Sequence, residues 1–178
     1  MKIHWSRFNI YLAMTLTAAI LCGCQTAKER EAKKMLGTLR LHLETNGDAA
    51  GASKEVPIYR QHPFMLKIEK TPFLNESNVT EARVVDVVGG FALRIQFDHA
   101  GTALLEQCCI ANRGRKIAVF SQYGKDMMEY RWLGAPVISR RISDGVFMFT
   151  PDATREEAEE VALCLSNTVK KAHSWIDE

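Results

Sequence analysis

Between Val84 and Ala111 the apolar spacing switches from every second residue to a helical period, and this switch constrains the fold more tightly than any other stretch. Val84 to Val88 and Phe91 to Phe97 flank Gly89-Gly90, two residues able to take the positive φ angles of a two-residue hairpin turn. Leu93, Ile95 and Phe97 fall on one face of the second strand, with Arg94, Gln96 and Asp98 on the other. From Asp98 to about Ala111 the pattern becomes helical, which places Leu104, Leu105 and Cys108 inward. A hairpin feeding directly into a helix excludes both an all-helical and an all-β architecture.

The flanking sequence repeats the mixture. Thr38 to Glu44 alternates strictly, Leu39, Leu41 and Leu43 opposite Thr38, Arg40, His42 and Glu44, as in a strand buried on one face. Residues 46–55 read as a flexible loop, Val56 to Tyr59 as a short extended piece, and Phe64 to Glu69 as another alternating strand. Residues 112–116 turn the chain into a buried strand from Ile117 to Phe120. Val137 to Ile142 and Val146 to Phe149 follow as strands around Asp144-Gly145. Thr154 and Glu157 open the last helix at capping-box spacing, and Ala158, Val161, Ala162, Leu165 and Val169 make its apolar stripe. Lys170 and Lys171 lie near its negative end. The expected class is α+β: a single, largely antiparallel sheet with two main helices packed on one face.

Upstream the chain changes character. Lys2 and Arg7 precede a mainly apolar core from Phe8 to Leu21, which has the length of a signal-peptide core and is short for a membrane span. Leu21-Cys22-Gly23-Cys24 resembles the bacterial lipobox, which implies cleavage before Cys24 and acylation of its thiol. One acyl chain anchors marginally, whereas the two or three on such a cysteine anchor durably. Gln25, in place of the aspartate that favours inner-membrane retention, points to the outer membrane rather than the inner, with the protein facing the periplasm. The expected organisation is a signal peptide over 1–23, an anchor with a polar linker or short helix over 24–37, and one α+β domain over 38–178.

The chain carries 23 Lys+Arg against 21 Asp+Glu. Loss of residues 1–23 takes Lys2 and Arg7 and no acid, so the mature chain is neutral and has no electrostatic case for a nucleic-acid partner. Of five cysteines, Cys22 leaves with the signal and Cys24 is acylated. Cys108, Cys109 and Cys164 are expected as small buried helix-face residues, with one disulfide at most, since adjacent cysteines rarely bridge each other. His42, His62, His99 and His173 are scattered, and no CxxC accompanies them, so no metal site is expected. Neither a phosphate-binding glycine loop nor a nucleophile elbow is present. Glu156, Glu157, Glu159 and Glu160 read as a solvated helix start, and Arg113, Arg115 and Lys116 as an exposed turn. No catalytic, cofactor-binding or metal-ligating residue is assigned.

From about Thr71 to Asn167 the chain resembles the head subdomain in the first periplasmic domain of SecD, the accessory subunit of the bacterial protein-secretion channel. The motifs recur in that family's order. Phe73-Leu74 with Asn78-Val79 and Ala82 is similar to its leading element, and Leu93, Ile95, Phe97, Asp98 and Gly101 to the strand entering the first helix. Asn112, Gly114 and Arg115 before Ile117-Ala118-Val119 are similar to its turn and central strand. Ala135-Pro136-Val137-Ile138, Ile142 with Gly145, and Thr154-x-Glu156-Glu157-Ala158 complete the set. The resemblance implies a SecD-head-type domain detached from the membrane-spanning, proton-coupled part of that family.

One departure bears on function. Where the family has a short turn, Ser121 to Lys125 leads into an enlarged polar and aromatic loop containing Met127, Met128, Tyr130, Trp132 and Leu133. Apolar side chains gathered in a loop mark a contact surface; the alternative is that the loop folds onto the sheet. The expected function is that of a lipid-anchored envelope protein. Its non-catalytic domain binds unfolded polypeptide or a membrane-complex partner, with Met127, Met128, Tyr130 and Trp132 as candidate contacts. The alternative is a self-associating structural or assembly lipoprotein, pairing through an exposed strand edge near residues 38–70.

Overall fold

A computed structural model describes residues 27–47 and 51–174. The signal-type core and Cys24 lie outside the described residues. Helix α1 (Ala27–Ala32) belongs to a separate unit from the domain that begins at Lys33. It is shorter than the polar linker or short helix expected over 24–37 and stops five residues before Gly37. Gly37 is required elsewhere: a Cβ there would sit 2.9 Å from Cys164 Cβ, so only glycine lets this backbone approach the last helix.

The domain runs β1 (Thr38–Leu43), β2 (Ser53–Ile58), β3 (Phe64–Glu69), β4 (Leu74–Asn75), a 3-10 turn (Glu76–Asn78), β5 (Val79–Val87) and β6 (Gly90–Phe97). It continues through α2 (His99–Ala111), β7 (Ile117–Tyr123), a second 3-10 turn (Lys125–Met127), β8 (Glu129–Gly134), β9 (Val146–Phe149) and α3 (Arg155–Ser174). All strand pairs are antiparallel and the class is α+β. The single sheet expected from sequence is instead three ladders: β4-β1-β7-β8, β2-β3 and β5-β6-β9. The division follows from burial. Leu39, Leu41 and Val119 of one ladder and Leu93, Ile95, Phe147 and Phe149 of another pack in one core with Leu105 and Cys109 of α2 and Val161, Cys164 and Leu165 of α3. Two ladders can line such a core from separate sides, whereas one sheet offers it a single face.

Three local expectations are corrected. The β5–β6 register closes at Val87↔Gly90, so the turn residues are Val88 and Gly89 rather than the two glycines. Gly89 supplies the positive φ (87°) that the second turn position needs, and Val88 points fully into solvent. In α2 the buried stripe is Gly101, Leu105 and Cys109, while Leu104 is exposed and Cys108 half-buried. Asp98 caps the helix through the Gly101 N–H (2.6 Å), and a Cβ on residue 101 would lie 2.8 Å from Asn78 Cβ, so this glycine face is the one pressed inward. No strand forms over 137–142. Val137 makes a single bridge to Lys116, and the Ile138 main chain bonds to Arg115 and Gly114, so the stretch braces the α2–β7 turn.

Candidate functional site

The two faces of the β1–β7–β8 sheet differ. The inner face carries Leu39, Leu41, Leu43, Ile117, Val119, Tyr123 and Leu133 into the main core. The register places three rows on the outer face: His42 beside Ala118, then Arg40, Phe120 and Trp132, then Thr38, Gln122 and Tyr130. The β2–β3 hairpin covers the first row. Val56, Ile58, Leu66 and Ile68 form with Ala118 and Ala135 a second buried cluster, against which Trp132 packs at its margin. Pro57 has no N–H for a ladder, which fits β2 as an edge strand.

His42 was expected outward and is buried because the hairpin lies over it. Its Nδ1–H donates to the Glu69 carbonyl (2.8 Å), and its ring meets Trp132 edge-on at 5.5 Å. Burial lowers its pKa, and the nearby charges of Lys54 and Arg40 add to this while the Glu69 carbonyl opposes it.

Cover thins along the next rows. Phe120 and Trp132 are half-buried, 5.1 Å apart, with the Lys54 ammonium 5.3 Å from the Trp132 ring centre. Tyr130 is 71% exposed. The result is an aromatic patch, Phe120 on β7 with Trp132 and Tyr130 on β8, that runs from the hairpin's margin into solvent, and β8 forms one edge of its ladder. Among the described residues, main-chain bonding of this strand beyond β7 is confined to the Leu133 carbonyl, which accepts from Asp152 N–H (2.6 Å).

The enlarged loop is therefore a β-hairpin. Of the four candidate contacts, Tyr130 and Trp132 are strand residues, while Met127 and Met128 lie in the connection between β7 and β8. Met128 is exposed and Met127 half-buried; Leu133 belongs to the main core. Asp126 and Met127 both hold φ at 54°, a conformation unusual for side chains of their size, and the Gln122 amide donates to the Met127 carbonyl (2.8 Å) to fix it. Beside Met128 a shallow groove is lined by Met35, Tyr123, Lys125, Asp126, Glu129 and Glu160.

What holds β8 in place was not legible from residue spacing. Glu157 closes the capping box, accepting from Thr154 N–H (2.7 Å) while its own N–H donates to Thr154 Oγ1 (3.2 Å). The same carboxylate accepts from Arg131 of β8 and from Arg60 after β2, with nitrogens at 3.1 and 3.2 Å in each case. Burial opposes the charge of Glu157, but the Thr154 N–H and the two guanidiniums outweigh it and hold the carboxyl at about 2. Arg131 also donates to the Asp152 carbonyl (2.6 Å), and Arg60 N–H to the Asp152 carboxylate (2.8 Å). The helix start, the edge strand and the hairpin are thus stapled by one acid. The capping spacing pointed to Glu157, but nothing local linked it to Arg60 or Arg131.

Cys108, Cys109 and Cys164 are free thiols, and burial raises all three, Cys108 to about 11. Among the described residues no group of His, Cys, Asp and Glu is arranged to hold a metal ion, and no helix is long and apolar enough to cross a membrane.

A family described as "SecDF, P1 head subdomain" matches residues 53–168, reaching further upstream than the resemblance from Thr71 and so taking in the β2–β3 hairpin. No curated protein matches. The structure of "a membrane component SecDF that enhances protein export" is similar at TM-score 0.54 and 20% identity, over 83% of this chain and 71% of that one. SecDF in a super-membrane-facing form is similar at TM-score 0.53 and 17% identity, over 80% of this chain and 21% of that one. At these identities the likeness concerns the fold. The family match spans more than half of the sequence, and the chain belongs to the SecDF P1 head subdomain family.

Proposed function

We propose that this protein is a lipid-anchored envelope accessory whose head-type domain binds extended polypeptide and catalyses nothing itself. The observation that carries the reading is an aromatic patch of Phe120 on β7 with Trp132 and Tyr130 on the edge strand β8, half-buried at Phe120 and Trp132 and open at Tyr130. An extended peptide laid along β8 gains main-chain hydrogen bonds from the edge and side-chain contact with Tyr130 and Met128. Membership of a family whose solved relative "enhances protein export" agrees with a polypeptide ligand. The Glu157 staple supports it further, because a rigid edge loses less entropy on binding than a mobile one.

Attachment through acylated Cys24 rests on the lipobox, and the preference for the outer membrane on Gln25. Mass spectrometry of the purified N-terminus tests the anchor: a diacylglyceryl-modified Cys24 is expected, and a chain that retains Met1 overturns it. For the domain, the full chain in detergent is titrated with a fluorescent, permanently unfolded polypeptide. Saturable binding that Tyr130→Ala weakens is expected, and no binding overturns the reading. The rival reading, self-association, cannot use β1, which is interior between β4 and β7, but the two-stranded β2–β3 ladder keeps an edge within residues 38–70. Light scattering on the full chain tests it: a concentration-dependent oligomer supports self-association, and a concentration-independent monomer overturns it.

A further inference from the structure

We propose that Lys33, Lys34, Lys170 and Lys171 form a docking face for an anionic lipid surface. The four line one shallow depression with Leu36 and Asn167, and all four are exposed. Two come from the segment before β1 and two from the end of α3, far apart in sequence. Main-chain tethers bring the segments together: Gly37 N–H donates to Thr168 Oγ1 (3.0 Å), Thr168 Oγ1 donates to the Gly37 carbonyl (2.8 Å), and the Asn167 amide donates to the Met35 carbonyl (2.9 Å).

The charge is concentrated here against the average. The chain from Cys24 onward has equal numbers of acids and bases, so four lysines in one lining leave the remainder four charges negative. Among the described residues no acid lines the depression, whereas Asp126, Glu129 and Glu160 gather with Lys125 in the groove beside Met128. Lys33 and Lys34 follow the end of α1 and Lys170 and Lys171 lie at the end of α3, so compensation of helix ends accounts for each pair but not for their convergence on one depression.

Position selects lipid over other anions. Lys33 follows Cys24 by nine residues, a tether of at most about 30 Å when fully extended. Lysines held so near an anchored end meet the negative surface potential of anionic headgroups, which decays over about 10 Å at 0.1 M salt. The inference takes its orientation from the lipid anchor proposed above.

The test uses the full lipidated chain on phosphatidylcholine vesicles with and without phosphatidylglycerol. A membrane-impermeant amine reagent is applied and modification is read per lysine by mass spectrometry. Lys33, Lys34, Lys170 and Lys171 are expected to react about fivefold more slowly on the anionic vesicles, and to recover in high salt, with Lys54 and Lys125 unchanged as references. Lys33→Gln with Lys34→Gln is expected to relieve the protection at Lys170. Equal labelling on both vesicles overturns the proposal, as does equal protection by inorganic phosphate without vesicles. Flotation with the neutral vesicles reports the anchor separately, so failure of the anchor and failure of the lysine face are distinguishable.

Discussion

The inner and outer faces of the β1–β7–β8 sheet are built from alternate residues of the same strands, yet they have opposite fates. The inner face is closed: Leu39, Leu41 and Val119 have no solvent exposure and meet both long helices' core residues. The outer face is graded: His42 and Ala118 lie under the β2–β3 hairpin, Trp132 at its margin with Phe120 half-buried beside it, and Tyr130 is exposed. The contrast teaches that a strand's period fixes which residues share a face, while only distant segments decide whether that face is covered.

The sharpest way to break the contrast is to empty each face in turn. Leu41→Ala in the closed core is expected to cost about 3–4 kcal/mol in chemical denaturation, since several elements surround the cavity and cannot collapse together. Ile58→Ala in the smaller cluster is expected to cost about 2 kcal/mol, because the edge hairpin can settle into the gap. Equal losses would mean the outer cluster is as rigid as the inner one.

The staple between the faces comes next. Glu157→Gln is expected to cost about 1–2 kcal/mol, the value of a cap and charged hydrogen bonds partly retained by the amide. Because the folded carboxyl sits at about 2 against an ordinary 4.5, its stabilisation is complete above pH 4.5 and is lost as pH falls toward 2. Acid titration of the wild type against Glu157→Gln should therefore converge in that window. His42 acts earlier and in the same direction. Its folded pKa lies below the ordinary 6.5, so the unfolded chain binds the proton first and stability declines as pH drops through 6.5. A His42→Gln variant should lack that first decline. Tyr130→Ala is expected to change stability by less than about 0.5 kcal/mol while weakening polypeptide binding, since its ring is mostly in solvent.

The regular elements were readable from sequence wherever one local pattern sufficed. The 91–97 alternation, the Thr154/Glu157 capping box and the α3 stripe are present as expected, apart from Val169, which is only partly buried. The errors arose where burial comes from afar. His42 looks solvent-facing until the β2–β3 hairpin is laid over it, and Leu104 looks inward until Gly101 is seen against Asn78. The 126–133 segment read as a loop because Glu129 and Arg131 interrupt its apolar residues. Arg131 is a strand residue whose charge is answered by Glu157, twenty-six positions away. Tyr130 and Met128 were legible as contact candidates from composition; the open face that makes them usable was not.

Photocrosslinking from residue 130 in cells tests the central claim most directly, with the same crosslinker at Met148, an exposed position on β9, as reference. Adducts to heterogeneous polypeptide from position 130 that far exceed those from position 148 are the predicted result. Equal yields from the two positions would contradict it, because the open aromatic face would then be no more a binding surface than any other exposed strand.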